Sequence, residues 1–201
     1  MAQKFVQIPA KIQQSLATNA GIVLKEFNPN AVGEATQIQQ NILFATTGGV
    51  NPTCVAELQD DGEDIDNCPK NAKEMQRVIS WECKLAGTAL TVTTDSALSL
   101  FGIADKSGSE VIKIDPRKQI KPTDFKALWY VCPYGTDGGF VAIKLDNALS
   151  TGGFSMQSAD NGKGQFAFEY TGYSSIEAPE KIPFEFYLKE KDSLPASEVI
   201  L

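Results

Sequence analysis

Apolar and polar residues alternate in short runs along much of this chain, and a period of two marks strands with one covered face. The longest run spans 74–93, where Ile79, Trp81, Cys83 and Leu85 share one side and Ser80, Glu82 and Lys84 the other. Gly87 within it predicts a bulge or bend. Between 126 and 132, Trp129 and Val131 oppose Leu128 and Tyr130. Phe166, Phe168 and Tyr170 align within 165–170, as do Phe184, Phe186 and Leu188 within 182–189. Shorter strands are predicted at 21–27, 40–44, 110–114, 140–145 and 154–157. Asp160-Asn161-Gly162 separates two of the runs, and Asn-Gly favours a hairpin because both residues tolerate positive φ.

Helical spacing appears once. Over 94–104, Ala97, Leu98, Phe101 and Ala104 form a single stripe, with Thr94 or Asp95 placed to cap the first turn. A helix this short and narrow is expected to pack on a sheet. The pattern predicts a core built from Ile79, Trp81, Leu98, Phe101, Trp129, Phe166, Phe168, Phe184 and Phe186.

Other stretches break the rhythm. Residues 46–71 contain Gly48-Gly49, Pro52, the acidic run Asp60-Asp61-Gly62-Glu63-Asp64-Ile65-Asp66, and Asn67-Cys68-Pro69. They read as a long loop, and a loop of that length in a folded domain is usually functional. Residues 1–19 read as a polar N-terminal arm and 190–201 as a C-terminal tail. No linker and no internal repeat divides the chain, so 1–201 is expected to be one domain. The fold class predicted is mainly β, a β-sandwich or partial barrel with one flanking short helix and extended loops and arms.

Composition narrows the chemistry. The chain carries no histidine, which excludes a Ser-His-Asp triad, a Cys-His dyad and any zinc site using imidazole. Its four cysteines, Cys54, Cys68, Cys83 and Cys132, form no Cys-x-x-Cys pair and read as free thiols, Cys83 and Cys132 as small core residues. The acidic run has carboxylates enough for a hard cation but lacks the spacing of an EF-hand loop. Asn161-Gly162-Lys163-Gly164 resembles the end of a phosphate-binding loop, yet Gly164 stands where Ser or Thr is needed. Glu169 and Glu185 fall on the outward faces of strand-like runs, as ordinary solvent-facing residues do. The expectation is a protein without catalytic residues, metal or cofactor.

A formal charge of −7 repels the phosphate backbone at long range, which argues against a general nucleic-acid binder. The same sign suits a surface that DNA must slide past without sticking. No secretory pattern opens the sequence and no run approaches the roughly 18 apolar residues of a membrane span, so synthesis in the cytoplasm is expected.

Several segments, in order, resemble the major tail tube proteins of long-tailed, non-contractile bacteriophages of Gram-positive hosts. They are Thr18-Asn19-Ala20-Gly21-Ile22; the stretch 62–71 from Gly62 to Asn71; Asp115-Pro116-Arg117; the stretch 123–129 from Thr123 to Trp129; the stretch 147–154 from Asn147 to Phe154; the stretch 162–168 from Gly162 to Phe168; and Ile182-Pro183-Phe184-Glu185. The resemblance implies a β-sandwich protomer that closes with copies of itself into homo-hexameric rings. The rings would stack into a tube in the virion, with DNA as passing cargo during ejection. Its partners would be itself and other phage tail proteins: tape measure, initiator and terminator. Asp60, Asp61, Glu63, Asp64 and Asp66 become candidates for lumen or inter-subunit positions. Residues 46–71 and the N-terminal arm become candidates for contacts between protomers. The competing readings are another tail component, such as a terminator or connector, and a cytoplasmic β-sandwich binding module using 60–66 for calcium.

Overall fold

Antiparallel pairing organises the chain around one large sheet, seen in a computed structural model that describes residues 16–17, 20–32, 35–135 and 138–190. The elements run β1 (Ile22–Leu24), α1 (Ala35–Asn41), β2 (Ile42–Phe44), β3 (Thr46–Asp60), β4 (Gln76–Ala89), α2 (Thr94–Phe101), β5 (Ala104–Ser107), β6 (Lys113–Pro116), β7 (Lys126–Tyr134), β8 (Gly139–Ser150), β9 (Ser155–Gln157), β10 (Gln165–Gly172) and β11 (Phe184–Lys189). The main sheet follows the order β2-β1-β7-β8-β10-β4-β3. Strand β11 pairs with β8, β9 pairs with β10, and β5 and β6 form a separate two-stranded sheet. The protein is mainly β, as the alternation predicts.

The two ends of that strand path are neighbours in sequence. Only Ala45 separates β2 from β3, and the Leu90 amide donates to the Ala45 carbonyl at 2.7 Å. The sheet must therefore curl, and one interior receives side chains from both of its wings. Phe44 from β2 meets Phe168 from β10 with ring centroids 4.8 Å apart, although those strands share no backbone hydrogen bonds. Val23, Leu85, Leu100, Leu145 and Tyr170 complete the centre of this core. A second, smaller cluster lies on the other face, where Phe27 packs edge-on against Trp129 and Phe140. Strand β7 is thus buried on both faces, with Leu128 and Tyr130 in one cluster and Trp129 in the other.

Helix α2 covers the main core as expected, with different details. Its cap is Thr93, preceding both predicted positions, Thr94 and Asp95. The Ser96 amide donates to the Thr93 hydroxyl and the Thr93 amide donates to the Ser96 hydroxyl, a reciprocal capping box. Leu100 is the large apolar residue it buries completely, alongside the capping Ser96. Leu98 and Phe101, predicted for the core, are half-buried, and Phe101 stacks on Phe154 at 4.6 Å. Ala104 belongs to β5 rather than to the helix.

Three expectations are overturned. Among the described residues there are two α-helices, not one: α1 occupies Ala35–Asn41, and the strand expected at 40–44 begins only at Ile42. Its single apolar contact, Ile38, gives too weak a stripe to read in advance. Residues 46–71 are not one long loop. Residues 46–60 are β3, a 15-residue strand paired along β4, and only the tip beyond Asp60 is irregular. The breakers that suggested a loop are accommodated by position. Gly48 and Gly49, at φ of 71° and 87°, form a bulge in β3 opposite Thr88 and Gly87. Pro52 is tolerated because β3 is an edge strand, where a missing N–H need not interrupt a ladder.

The third correction concerns the core. Trp129, Phe166 and Phe168 are buried, and Phe184 packs partly buried against the main cluster. Ile79, Trp81 and Phe186 are exposed, at 53%, 39% and 59%. Alternation places side chains on a face, but burial needs a second layer over that face, and β4 and β11 run beyond the layer that covers their neighbours. Of the N-terminal arm, Leu16 and Ala17 run beside the end of β7, where Ala17 bridges Tyr134. Residues 1–15, 18–19 and 191–201, hence nearly all of the arm and tail, lie outside the described residues.

Candidate interaction surface

The β3–β4 hairpin carries the most unusual surface of the molecule. Near its root Cys83 and Leu85 face the core, with Cys54 packed beside them. Beyond that point the same face continues but nothing lies on it. Register pairs Ala56 with Trp81 and Leu58 with Val78, and Leu58, Val78 and Trp81 are all exposed. Ile79 is the extra residue of a bulge opposite Glu57 and Leu58, which displaces it from the alternation the sequence suggests. The ladder of β10 on β4 ends at Thr171 and Lys84. Among the described residues the outer half of the hairpin therefore has unpaired backbone along both edges. A groove of about 700 Å³ opens there, lined by Val55, Trp81, Glu82, Thr171 and Tyr173 among others.

At the tip, the acidic run divides by role. Asp60 holds the turn: the Asn71 and Gly62 amides donate to its carboxylate at 2.9 Å each and keep its pKa below the ordinary value. Asp61 forms a two-point pair with Arg77. Glu63, Asp64 and Asp66 are exposed on the tip. Among the described residues no three carboxylates or thiols converge as a metal site would require. The five predicted acids thus lie on one hairpin end, two of them engaged in shaping it.

A second open edge lies on β11. Its alternation is as predicted, with Phe184, Phe186 and Leu188 beside Leu145, Ile143 and Val141 of β8. Phe186 and Leu188 are exposed because β11 is the outermost strand there. Charges fasten it from the opposite face. Asp146 forms ion pairs with Lys144 at 2.8 Å and Lys181 at 2.7 Å, Lys181 reaches Glu185 at 3.1 Å, and the Tyr187 hydroxyl donates to Glu185. Burial opposes ionisation of Asp146, yet the two lysines outweigh it and hold its pKa below the ordinary value. The Tyr187 hydrogen bond, reinforced by Lys181, does the same for Glu185.

Both carboxylates have lowered folded pKa values, so their contribution to stability is complete above the ordinary values of 3.8 and 4.5. It is lost as pH falls through the lower folded values. The thermal midpoint should be flat from neutral pH to about pH 5 and decline below that. Asp146→Asn should shallow the decline. An unchanged acid slope in that variant would show that the network does not fasten β11.

The sequence signals that merge elsewhere are structural. Arg117 and Asp124, from two of the segments that carry the family resemblance, form a nearly buried ion pair, and Asp105 pairs with the same guanidinium at 3.0 Å. They sit on a cleft of about 550 Å³ between α2 and the β5–β6 sheet. Tyr170 and Ser99 share a hydrogen bond of 2.8 Å at its floor, and burial pushes the Tyr170 hydroxyl far above its ordinary pKa. No helix among the described residues is long and apolar enough to cross a membrane. In comparison with known proteins, no family model matches the chain and no curated protein matches it.

Proposed function

We propose that this chain is the repeating subunit of a phage tail tube, closing into hexameric rings that stack around a DNA conduit. The observation that carries this reading is the hairpin whose core-facing side continues, uncovered, past the body of the protein. Exposed apolar residues on a strand with unpaired edges invite a partner strand, and soluble proteins normally blunt such edges. Here the edge is long and apolar through Leu58, Val78 and Trp81, which suits completion by another copy. Contacts that close within a ring stop growth in that direction, and contacts between rings repeat and make a filament.

Charge fits the same reading. Between 57 and 77 the hairpin carries seven acidic residues against three basic ones. A negative surface lets DNA pass without adhesion. The acidic tip at the end of an apolar hairpin favours an inter-subunit place for Asp60, Asp61, Glu63, Asp64 and Asp66. In this reading the chain performs no catalysis and holds no cofactor. Its other contacts are with tail proteins that start, measure and end the tube.

Sedimentation velocity across a concentration series, followed by electron microscopy, tests the proposal. Rings or tubes with a central channel are expected as concentration rises. Growth that ends at one ring would point instead to a terminator or connector. A protein monomeric at every concentration would overturn self-assembly, and melting that shifts with added calcium would favour a binding module.

A further inference from the structure

Cys54 and Cys83 oppose each other directly across the β3–β4 ladder, and their sulfurs lie 3.1 Å apart. Both are free thiols. Residues directly opposed in an antiparallel pair have Cα atoms about 4.5–5.5 Å apart, within the roughly 4.4–6.8 Å that a disulfide spans. Closing a bond here needs side-chain rotation and little movement of the backbone. The remaining thiols sit elsewhere, Cys68 at the hairpin tip and Cys132 buried in β7. The pair also stands at a mechanical boundary: on one side β4 is anchored to β10, and on the other the hairpin projects alone.

We propose that Cys54 and Cys83 are a redox-closable pair, oxidised by a small-molecule disulfide to a cross-strand bond that staples the root of the hairpin. Cys54 is the half-exposed partner and meets the oxidant first. Its thiolate attacks one sulfur of the small disulfide, that S–S bond breaks, and one small thiol leaves. Cys83 then gives up its proton and attacks the Cys54 sulfur, forming the cross-strand bond and expelling the second small thiol. Two protein thiols are oxidised and one small disulfide is reduced to two thiols. Cys83 is fully buried, and burial together with the adjoining Cys54 pushes its thiol up to about 12, so Cys83 rests protonated and its attack is the slower of the two steps. The closed bond would hold the strand register where Ala56, Leu58, Val78 and Trp81 depend on it. This inference stands on thiol geometry and does not require the assembly reading.

The test treats the folded full chain with oxidised glutathione at neutral pH, then alkylates, digests and maps the cysteines. The expected product is lighter by about 2 Da, as two thiol protons leave. It contains a peptide linking Cys54 to Cys83, leaves Cys68 and Cys132 alkylatable, and reverts with dithiothreitol. Its thermal midpoint should rise by about 5–10 °C, because a closed loop restrains the unfolded chain. Cys54→Ser, at the more exposed partner, should abolish both the mass change and the shift. Free Cys54 and Cys83 after oxidation, persistent glutathione adducts, or links scattered among the four cysteines would each overturn the pairing. A closed bond with an unchanged midpoint would overturn the staple.

Discussion

The double variant Leu58→Asp/Val78→Asp is expected to stay folded and, under the proposed assembly, to lose self-association. In the isolated protomer both side chains are more than two-fifths exposed, so the new carboxylates stay in water; their direct opposition across the ladder and the poor fit of Asp in a strand cost on the order of 1–2 kcal/mol. In an assembled contact the same groups would be buried without partners. Each desolvated, unpaired charge costs several kcal/mol, so the concentration needed for assembly should rise by at least ~100-fold. The neighbouring acids of the tip add like-charge repulsion. Circular dichroism establishes folding and sedimentation velocity reads assembly. A folded variant that assembles at the wild-type concentration would remove this hairpin face from the contact, while leaving open edges such as β11 to account for assembly.

Phe168→Ala is expected to cost about 3–5 kcal/mol, as large aromatic truncations in a packed core do, and to lower the thermal midpoint by on the order of 10 °C. Phe168 is 3% exposed and ties three elements together. Its ring meets Phe44 at 4.8 Å and Tyr170 at 5.9 Å, and a Cβ at Gly87 would lie 2.8 Å from its edge. Removing it leaves a cavity where the two wings of the sheet meet. Phe186→Ala supplies the contrast. In the isolated protomer Phe186 is 59% exposed, and its truncation should change stability by less than about 0.5 kcal/mol. Equal losses for the two variants in a monomeric protein would contradict the core described above.

That contrast shows where sequence reading works and where it stops. Phe166, Phe168 and Tyr170 alternate with polar residues, and so do Phe184, Phe186 and Leu188. Both segments are strands with the predicted sides. Only the first lies under another layer, because β2 folds over β10 while β11 is left at the margin. The acids at 60–66 were legible as a cluster, but their division into turn-holding Asp60, paired Asp61 and three exposed carboxylates depends on the return strand. Gly48, Gly49 and Pro52 looked like loop residues because their tolerance in a strand depends on its being an edge with a bulge.

Local pattern alone was enough to specify most strands, the site of α2 and the absence of imidazole chemistry, since these follow from backbone period and residue type. Long-range pairing was needed to turn 46–60 into a strand, to bring Cys54 against Cys83 and to leave Leu58, Val78 and Trp81 uncovered. Side-chain direction is set within a few residues, but whether that side meets protein or water is settled by chain segments dozens of positions away.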